Sequence, residues 1–385
     1  MVDERLLAER LISYDTSKPE ELVAAAGFVK GWLESRDIAV YEHDHNGLPV
    51  LVAEIGPAGS REVPCVVFHG HLDVVPGRPE QFTPRVEGDR LIGRGAYDMK
   101  GALAAMMCAL TDLGGCTEVR VRLMCMPDEE SEELDVRSTD ELVRAGLGGT
   151  FAITGEPTNL HIGVQAKGVL ALRIGVHGRS AHSSTPWLGD NAILKAIDVF
   201  RAIESLPFAR ESSDLFDRPS INLGRIEGGD AVNKVPDSCT MVIDIRYLPG
   251  QDPGRILAEI DAMEGIEVTR TFVHPPVTVS PADPYVRALR DAVAQLAPEI
   301  ERLSVGRDGA SDAASFLEAG IPAVEFGPAG GGHHGPEEWV SISSLSAYRA
   351  ALVDFVRTLP FSLGSRPPAA ATGEPALKAI EGGLT

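Results

Sequence analysis

The segment Val66–Pro76 reads VVFHGHLDVVP, an apolar run that ends in His69, His71 and Asp73. The β-branched and aromatic stretch Val63–Phe68 is a strand signal. At its end stand side chains able to bind a metal or move a proton. Three more segments repeat this plan. Arg120–Met126 alternates and then turns wholly apolar, as a strand entering a core does, and it runs into Asp128-Glu129-Glu130. Phe151–Thr154 runs into Gly155-Glu156-Pro157, and Ala323–Phe326 precedes a glycine-rich loop with His333 and His334. Between the first two lies GRGAYDMKG (93–101), which leads into Gly101–Leu113, an Ala-, Leu- and Met-rich stretch that reads as a buried helix. Strands alternating with helices predict an α/β fold with a mostly parallel sheet. Ligands of such sheets bind outside the carboxyl ends of the strands, so these strand ends can converge on one cleft.

Outward from this core, residues 5–36 read as helical, with Leu6, Leu7, Leu11, Val23, Phe28 and Trp32 at helical spacing around a break at Pro19. Val50–Ile55 is a further strand. Near residue 165 the texture changes. Val169–Val176 and Met241–Tyr247 alternate as half-buried antiparallel strands do. Helix Asn191–Leu206 and strand Ile221–Ile226 lie between them. Helical patterns return at Pro284–Leu296, Ser311–Ala319 and Leu345–Thr358. The predicted organisation is a catalytic domain in two parts, 1–165 and 275–362, with a smaller α+β module inserted at 166–274. A tail at 363–385, rich in Pro, Ala and Gly, is expected to be mobile.

A chain of 385 residues suits two or three domains. Lys+Arg 35 against Asp+Glu 56 leaves a net charge of −21. So acidic a surface argues against nucleic acid and anionic membrane as partners. The start, MVDERLLAERL, lacks the apolar core of a signal peptide, and the longest apolar stretch, Gly101–Leu110, is far shorter than a membrane helix requires. Five cysteines with no CxxC pair suggest neither a disulfide framework nor a thiolate zinc site. A cytoplasmic location is the expectation. GRGAYDMKG fails as a dinucleotide loop because Asp98 stands where the third glycine belongs, and the chain has no GxxxxGK[ST], GxSxG or HExxH.

Taken singly, the candidate residues have bland readings. His71 with Asp73 could be an ordinary hydrogen-bonded pair, DEESEE a solvated acidic run, Asp98 a helix cap, Glu156 a turn residue and His182 a surface histidine. All of these would have to hold at once to defeat the constellation. Together, imidazoles and carboxylates are the ligands zinc takes. Two metals close together need a bridging carboxylate. Another carboxylate must stay off the metals to take a proton from water. Adjacent side chains in extended backbone point to opposite sides, so one of Glu129 and Glu130 can bind metal while the other faces a substrate. His71 and Asp73, two apart, share a side, so Asp73 can steer the His71 ring. His333-His334 leaves the last ligand open by one residue.

The ordered set HxD, GRGAYDMKG, DEE, GEP and HGPEE resembles the dizinc amidohydrolases and exopeptidases of the M20 family, from about residue 5 to 360. The inserted stretches KGVLALRIGVHGRSAHSSTPWLGDNAI and INLGRIEGGDAVNKVPDSCTMVIDIRYLPG resemble that family's lid or dimerisation domain. The resemblance implies a dizinc exopeptidase-like catalytic domain and a homodimer formed through the inserted one. It implies two divalent ions, Zn2+ with Co2+ or Mn2+ as alternatives. His71 and Glu156 would bind one ion, Glu130 and His334 the other, and Asp98 would bridge them. Asp73 would orient His71, and Glu129 would be the general base. His182 would stabilise the oxyanion, in this family often across a dimer interface. Asn233 and Arg246 would contact substrate, Arg246 holding a carboxylate in bidentate fashion. The peptide after Asp98 is often cis in the family. Ser131-Glu132-Glu133-Leu134 departs from the glycine-rich stretch common there. The implied reaction is hydrolysis of N-acyl amino acids, of the acetylornithine deacetylase or succinyl-diaminopimelate desuccinylase type, and DMKG favours the deacylase and carboxypeptidase branch. The alternatives are a metallo-exopeptidase acting on short peptides and a non-catalytic metal-binding protein on the same fold.

Overall fold

Pro19 does separate two helices. In chain order the elements begin with α1 (Glu4–Ile12), capped by the Asp3 side chain, and α2 (Pro19–Glu34), which opens on the proline because a first-turn N–H needs no partner. A computed structural model describes residues 3–57, 63–115, 118–130, 136–298, 300 and 304–364. Cys116, the rim at 131–134 and the tail beyond Gly364 lie outside the described residues. Next come β1 (Val40–His45), β2 (Leu48–Ile55), β3 (Cys65–His71), β4 (Arg85–Glu87), β5 (Arg90–Ile92), α3 (Gly101–Asp112), β6 (Arg120–Met126), α4 (Ser138–Leu142), β7 (Phe151–Thr154) and β8 (Ile162–Ala166). They are followed by β9 (Gly168–His177), α5 (Ala192–Ile203), β10 (Ser220–Gly228), β11 (Ser238–Tyr247), α6 (Pro253–Asp261), β12 (Ile266–His274) and β13 (Val277–Thr278). The chain closes with α7 (Pro284–Leu296), β14 (Ser304–Arg307), α8 (Ala313–Glu318), β15 (Ala323–Phe326), β16 (Gly330–Gly331), β17 (Trp339–Ser341) and α9 (Ile342–Leu363). α9 thus takes in Leu363, which the composition assigns to the tail.

Two compact units divide the chain, the second made of Gln165–Thr278 and Gly306–Ser311. The first unit is built on a mixed sheet in the order β1-β2-β6-β3-β7-β15-β8. Its centre, β6-β3-β7-β15, is parallel. These strands are apolar and buried on both faces, and α3 is buried along Gly101–Leu110, as a doubly covered parallel sheet demands. The register aligns the carboxyl ends. His71 stands opposite Met126, and Thr154 is flanked by His69 and Glu325. The loops after three of these strands therefore leave from one edge of the sheet. A small antiparallel sheet, β16-β17-β5-β4, ties the last loop of the unit to the segment before Asp98.

The second unit is an antiparallel sheet, β10-β11-β9-β12. Cys239, Met241, Ile243, Ile245 and Tyr247 alternate inward along β11 and pack with Leu170, Leu172, Ile174 and Val176 of β9. Ala196, Phe200 and Ile203 of α5 and Ile256 and Ile260 of α6 complete this core. One covered face explains the clean alternation in the sequence. α6 and β12 leave no such signal, since the helix is one of nine residues and the strand is a mostly exposed edge. Ile243 is fully buried in the central strand. Truncating it to Ala is expected to destabilise the second unit by roughly 2–5 kcal/mol, read from a chemical-denaturation midpoint with the slope unchanged.

Candidate metal centre

His71 ends β3 and points out of the carboxyl edge of the sheet. Its Nε2 lies 3.0 Å from Asp98 Oδ1 and 3.9 Å from Glu156 Oε1. The ring's Nδ1–H donates to the Asp73 carbonyl at 3.0 Å, with the Asp73 carboxylate farther off at 3.5 Å. So the ring is steered by the Asp73 main chain more closely than by the side chain expected to do so. The Asp73 carboxylate has other partners: it accepts the backbone N–H groups of Glu129 and Glu130 at 3.3 and 2.8 Å. It therefore fixes the turn that presents both glutamates.

Asp98 is buried at 6% exposure, on a short irregular turn that begins at Gly95 in the left-handed region. Its peptide to Met99 is cis. Its Oδ2 lies 2.5 Å from His333 Nε2 and 3.2 Å from His334 Nε2, and His334 Nε2 is also 2.9 Å from Glu130 Oε1. Both histidines of the pair reach Asp98, but His334 is the one that joins Asp98 to Glu130. Three overlapping groups could each hold a cation: His71, Asp98 and Glu156; Asp98, His333 and His334; and His71, Glu129 and Glu130. In each, the ligand atoms lie within 4.8 Å of one another. The donors are nitrogen and oxygen only, which suits zinc, cobalt or manganese. Glu156 Oε1 is buried without a hydrogen-bond partner, the mark of an atom awaiting a ligand. The residues fit a metal pair.

The electrostatics agree with such a site. Burial works against charge on Asp98, yet hydrogen bonds from His333, His334 and His71 outweigh it and hold the carboxyl well below its usual range. Burial likewise works against charge on His71, yet Asp73 and Asp98 keep its pKa well above that of a free imidazole. Hydrogen bonds to Asp98 and Glu130 push His334 up to about 10. Burial, joined by the charge of Asp98, holds Glu156 well above the carboxylate range. Burial pushes Glu129 up to about 8. Arg137 donates to the Glu129 carbonyl, and its guanidinium lies 3.8 Å from the Glu129 carboxylate.

Other neighbours carry weaker sequence signals. His69 is fully buried, bonds Thr139 Oγ1 at 2.9 Å and is pushed by burial down to about 4, so it stands neutral behind the site. Arg137 and Thr139 sit in a stretch with no motif. Arg94 and Glu338 do lie within GRG and GPEE, but as charged residues they read as surface.

The remaining candidates belong to the second unit. His182 is exposed, and its Nδ1 faces both the backbone N–H of Ser184, at 3.1 Å, and the Ser184 hydroxyl. An Nδ1 that accepts leaves the proton of a neutral ring on Nε2, a donor. Asn233 bonds through its carbonyl to the N–H of Ser183, beside His182. Arg246 is gripped by Asp244 through Nε at 2.8 Å and Nη2 at 3.0 Å. One edge of the guanidinium is thus already engaged, and a substrate carboxylate would meet the other.

The family model for peptidase family M20/M25/M40 matches residues 67–358. A succinyl-diaminopimelate desuccinylase of Halorhodospira halophila is 27% identical, covering 92% of this chain and 97% of its own. An acetylornithine deacetylase of Myxococcus xanthus is 33% identical over 72% of this chain and 75% of its own. Among solved structures, an M20 family metallo-carboxypeptidase from Sulfolobus solfataricus superposes with a TM-score of 0.74 at 20% identity, over 94% of this chain and all of that one. With the family model spanning most of its length, this chain belongs to the M20/M25/M40 peptidase family and is a metal-dependent amidohydrolase.

Metal ligation needs neutral imidazoles. His71 and His334 both hold protons at neutral pH in the metal-free chain. Adding zinc to metal-free protein at pH 7 is therefore expected to release protons. Calorimetry in buffers of different ionisation enthalpy reads the number released, and a heat independent of buffer would contradict the assignment.

Proposed function

We propose that this chain is a deacylase, hydrolysing the amide bond between a small acyl group and the nitrogen of an amino acid. The observation that carries the reading is Glu129, a carboxylate lodged among the candidate ligands and pushed by burial up to about 8. A proton acceptor poised near neutrality suits general acid–base work. The curated relatives, a desuccinylase and a deacetylase by name, support the substrate class.

In this reading His71 and Glu156 hold one divalent ion, Glu130 and His334 hold the other, and Asp98 lies between. Zn2+ is the proposed metal, and Co2+ or Mn2+ suit the same donors. Held there, the ions would supply Lewis acidity and a water more acidic than bulk water. Asp73 fixes the turn so that Glu130 meets His334 and Glu129 is left to take the proton of the attacking water. Glu129 then returns that proton to the departing nitrogen. His182, with its Nε2–H free to donate, would stabilise the oxyanion, and Asn233 and Arg246 would hold the amino-acid end of the substrate.

The second unit is proposed as a lid and as the contact of a homodimer. Trp187, Leu188 and Leu194 are 74%, 61% and 60% exposed there, more apolar surface than a solvated face needs. No helix among the described residues is long and apolar enough to cross a membrane. A cytoplasmic location is proposed, and the free, buried Cys65, Cys108, Cys125 and Cys239 suit a reducing compartment.

The test is amine release from acetylornithine, succinyl-diaminopimelate, acetylmethionine and simple dipeptides, by zinc- or cobalt-loaded protein with a chelated control. Chelator-sensitive turnover of an acyl amino acid is expected; release from dipeptides alone would move the assignment to an exopeptidase. In the same assay Glu129→Gln should keep both metals and lose about 100- to 10,000-fold in kcat, and full activity would refute its role. His182→Ala should lower kcat by about 100- to 1,000-fold with metal content intact. A fall in metal content instead would make His182 a ligand.

A further inference from the structure

Arg94 and Glu338 form an ion pair that is almost fully buried, at 3% and 1% exposure. Arg94 Nη1 donates to Glu338 Oε2 at 2.6 Å. Burying two charges is costly and by itself does little for stability, since apolar residues of similar volume often serve as well. The other bonds of this pair give it a purpose. Glu338 Oε1 accepts the backbone N–H groups of Tyr97 and Asp98, each at 3.0 Å. Arg94 Nη2 donates to the backbone carbonyl of His334 at 3.1 Å. One end of the pair thus holds the main chain of Asp98 and the other holds the main chain of His334, two segments far apart in sequence.

The His334 segment needs such a hold. His334 has φ +56, in the left-handed region that side chains other than glycine's rarely adopt. Its loop is closed by Gly335 N–H to Gly332 O at 2.7 Å and tied down by Gln81 Nε2 to Gly335 O at 3.1 Å. The Arg94 contact falls on the strained residue itself. No donor or acceptor of the pair faces a substrate, so its action goes through Asp98 and His334.

We propose that Arg94 and Glu338 are positioning residues, a clamp that sets the spacing of Asp98 and His334 and so the affinity of the metal site these two share with Glu130. The inference rests on the proposed ligand set. The clamp holds only one side of the centre. The His71 and Glu156 side hangs on β3 and β7 and does not depend on it, except through Asp98.

The variants are chosen to separate positioning from stability. Glu338→Gln is isosteric. Its Oε1 still accepts the two N–H groups, while its amide N–H meets Arg94 donor to donor. Arg94→Lys keeps a positive charge for Glu338 and loses the second arm to His334. Arg94→Met with Glu338→Leu replaces the pair by apolar bulk, which should recover the melting temperature lost in either single change. Zinc binding is read by competition with a chromophoric chelator, and metal content by elemental analysis, on the full chain. The wild type is expected to bind two ions. Each variant is expected to bind one ion with little change and the other at least about tenfold more weakly, as loss of an outer support typically does. The double variant should regain its melting temperature without regaining that affinity. Two ions at wild-type affinity in folded Glu338→Gln or Arg94→Lys would overturn the proposal, as would full recovery in the double variant. A wild-type chain that binds fewer than two ions would overturn the underlying ligand set, and the clamp with it, before any variant is compared.

Discussion

A carboxylate that is ionised and yet almost wholly out of water is the constraint on which the rest of the first unit depends. Asp98 would be untenable there as a bare charge. Three imidazoles surround it, from His71 at the end of one strand and from His333 and His334 in a loop far along the chain. To bring them together the fold must align strand ends on one edge, return the chain through a small second sheet and hold a loop in a strained conformation. The parallel order β6-β3-β7-β15 does the first, and the pairing of β17 with β5 does the second. The buried Arg94–Glu338 pair accounts for the third. A metal pair would take over the role the imidazole protons fill in the metal-free protein, with the same atoms facing inward.

Most of this framework is legible in the sequence because it is made of apolar periodicity and turn signals. β6, β7, β15 and α7 have the bounds the sequence predicts. β1 gives no strand signal because VYEHDH carries polar side chains at most positions, and β16 and β17 are too short for any period to register. The alternation in Arg120–Met126 suggests that its arginines face water, yet every residue of the strand is buried. Arg122 is tolerated inside because Glu54 on the neighbouring β2 meets it at 2.6 Å and the Leu147 carbonyl takes another of its N–H groups. A partner on an adjacent strand leaves no trace in local pattern.

The site shows the same division. The ligand types, their order and the pairing of Glu129 with Glu130 are readable because metal chemistry restricts the side chains that can serve. What they lean on is not. Asp73 is expected from the sequence to orient an imidazole through its carboxylate, and that group instead caps the turn of the two glutamates. Arg246 is expected to await a substrate carboxylate and is half engaged by Asp244, two residues before it on the same strand face. Supporting contacts of this kind depend on which backbone groups happen to lie open. Only the folded chain specifies that.

The place of β15 has a bearing on how the protein is made. It enters the sheet between β7 and β8, pairing with Thr154 on one side and Gly163 on the other, although it stands at residues 323–326. During synthesis those two strands emerge first, and the gap between them stays unfilled while the whole second unit is translated. That unit has its own hydrophobic core and can fold while the ribosome is still at work. The first unit cannot close until β15 arrives, and its catalytic edge is not complete until the chain has passed His334. An exposed strand edge during that interval is a template for pairing with other chains. The nascent protein is thus most vulnerable to aggregation in the interval between the second unit and β15, and premature metal capture by the early ligands alone would meet only half a site.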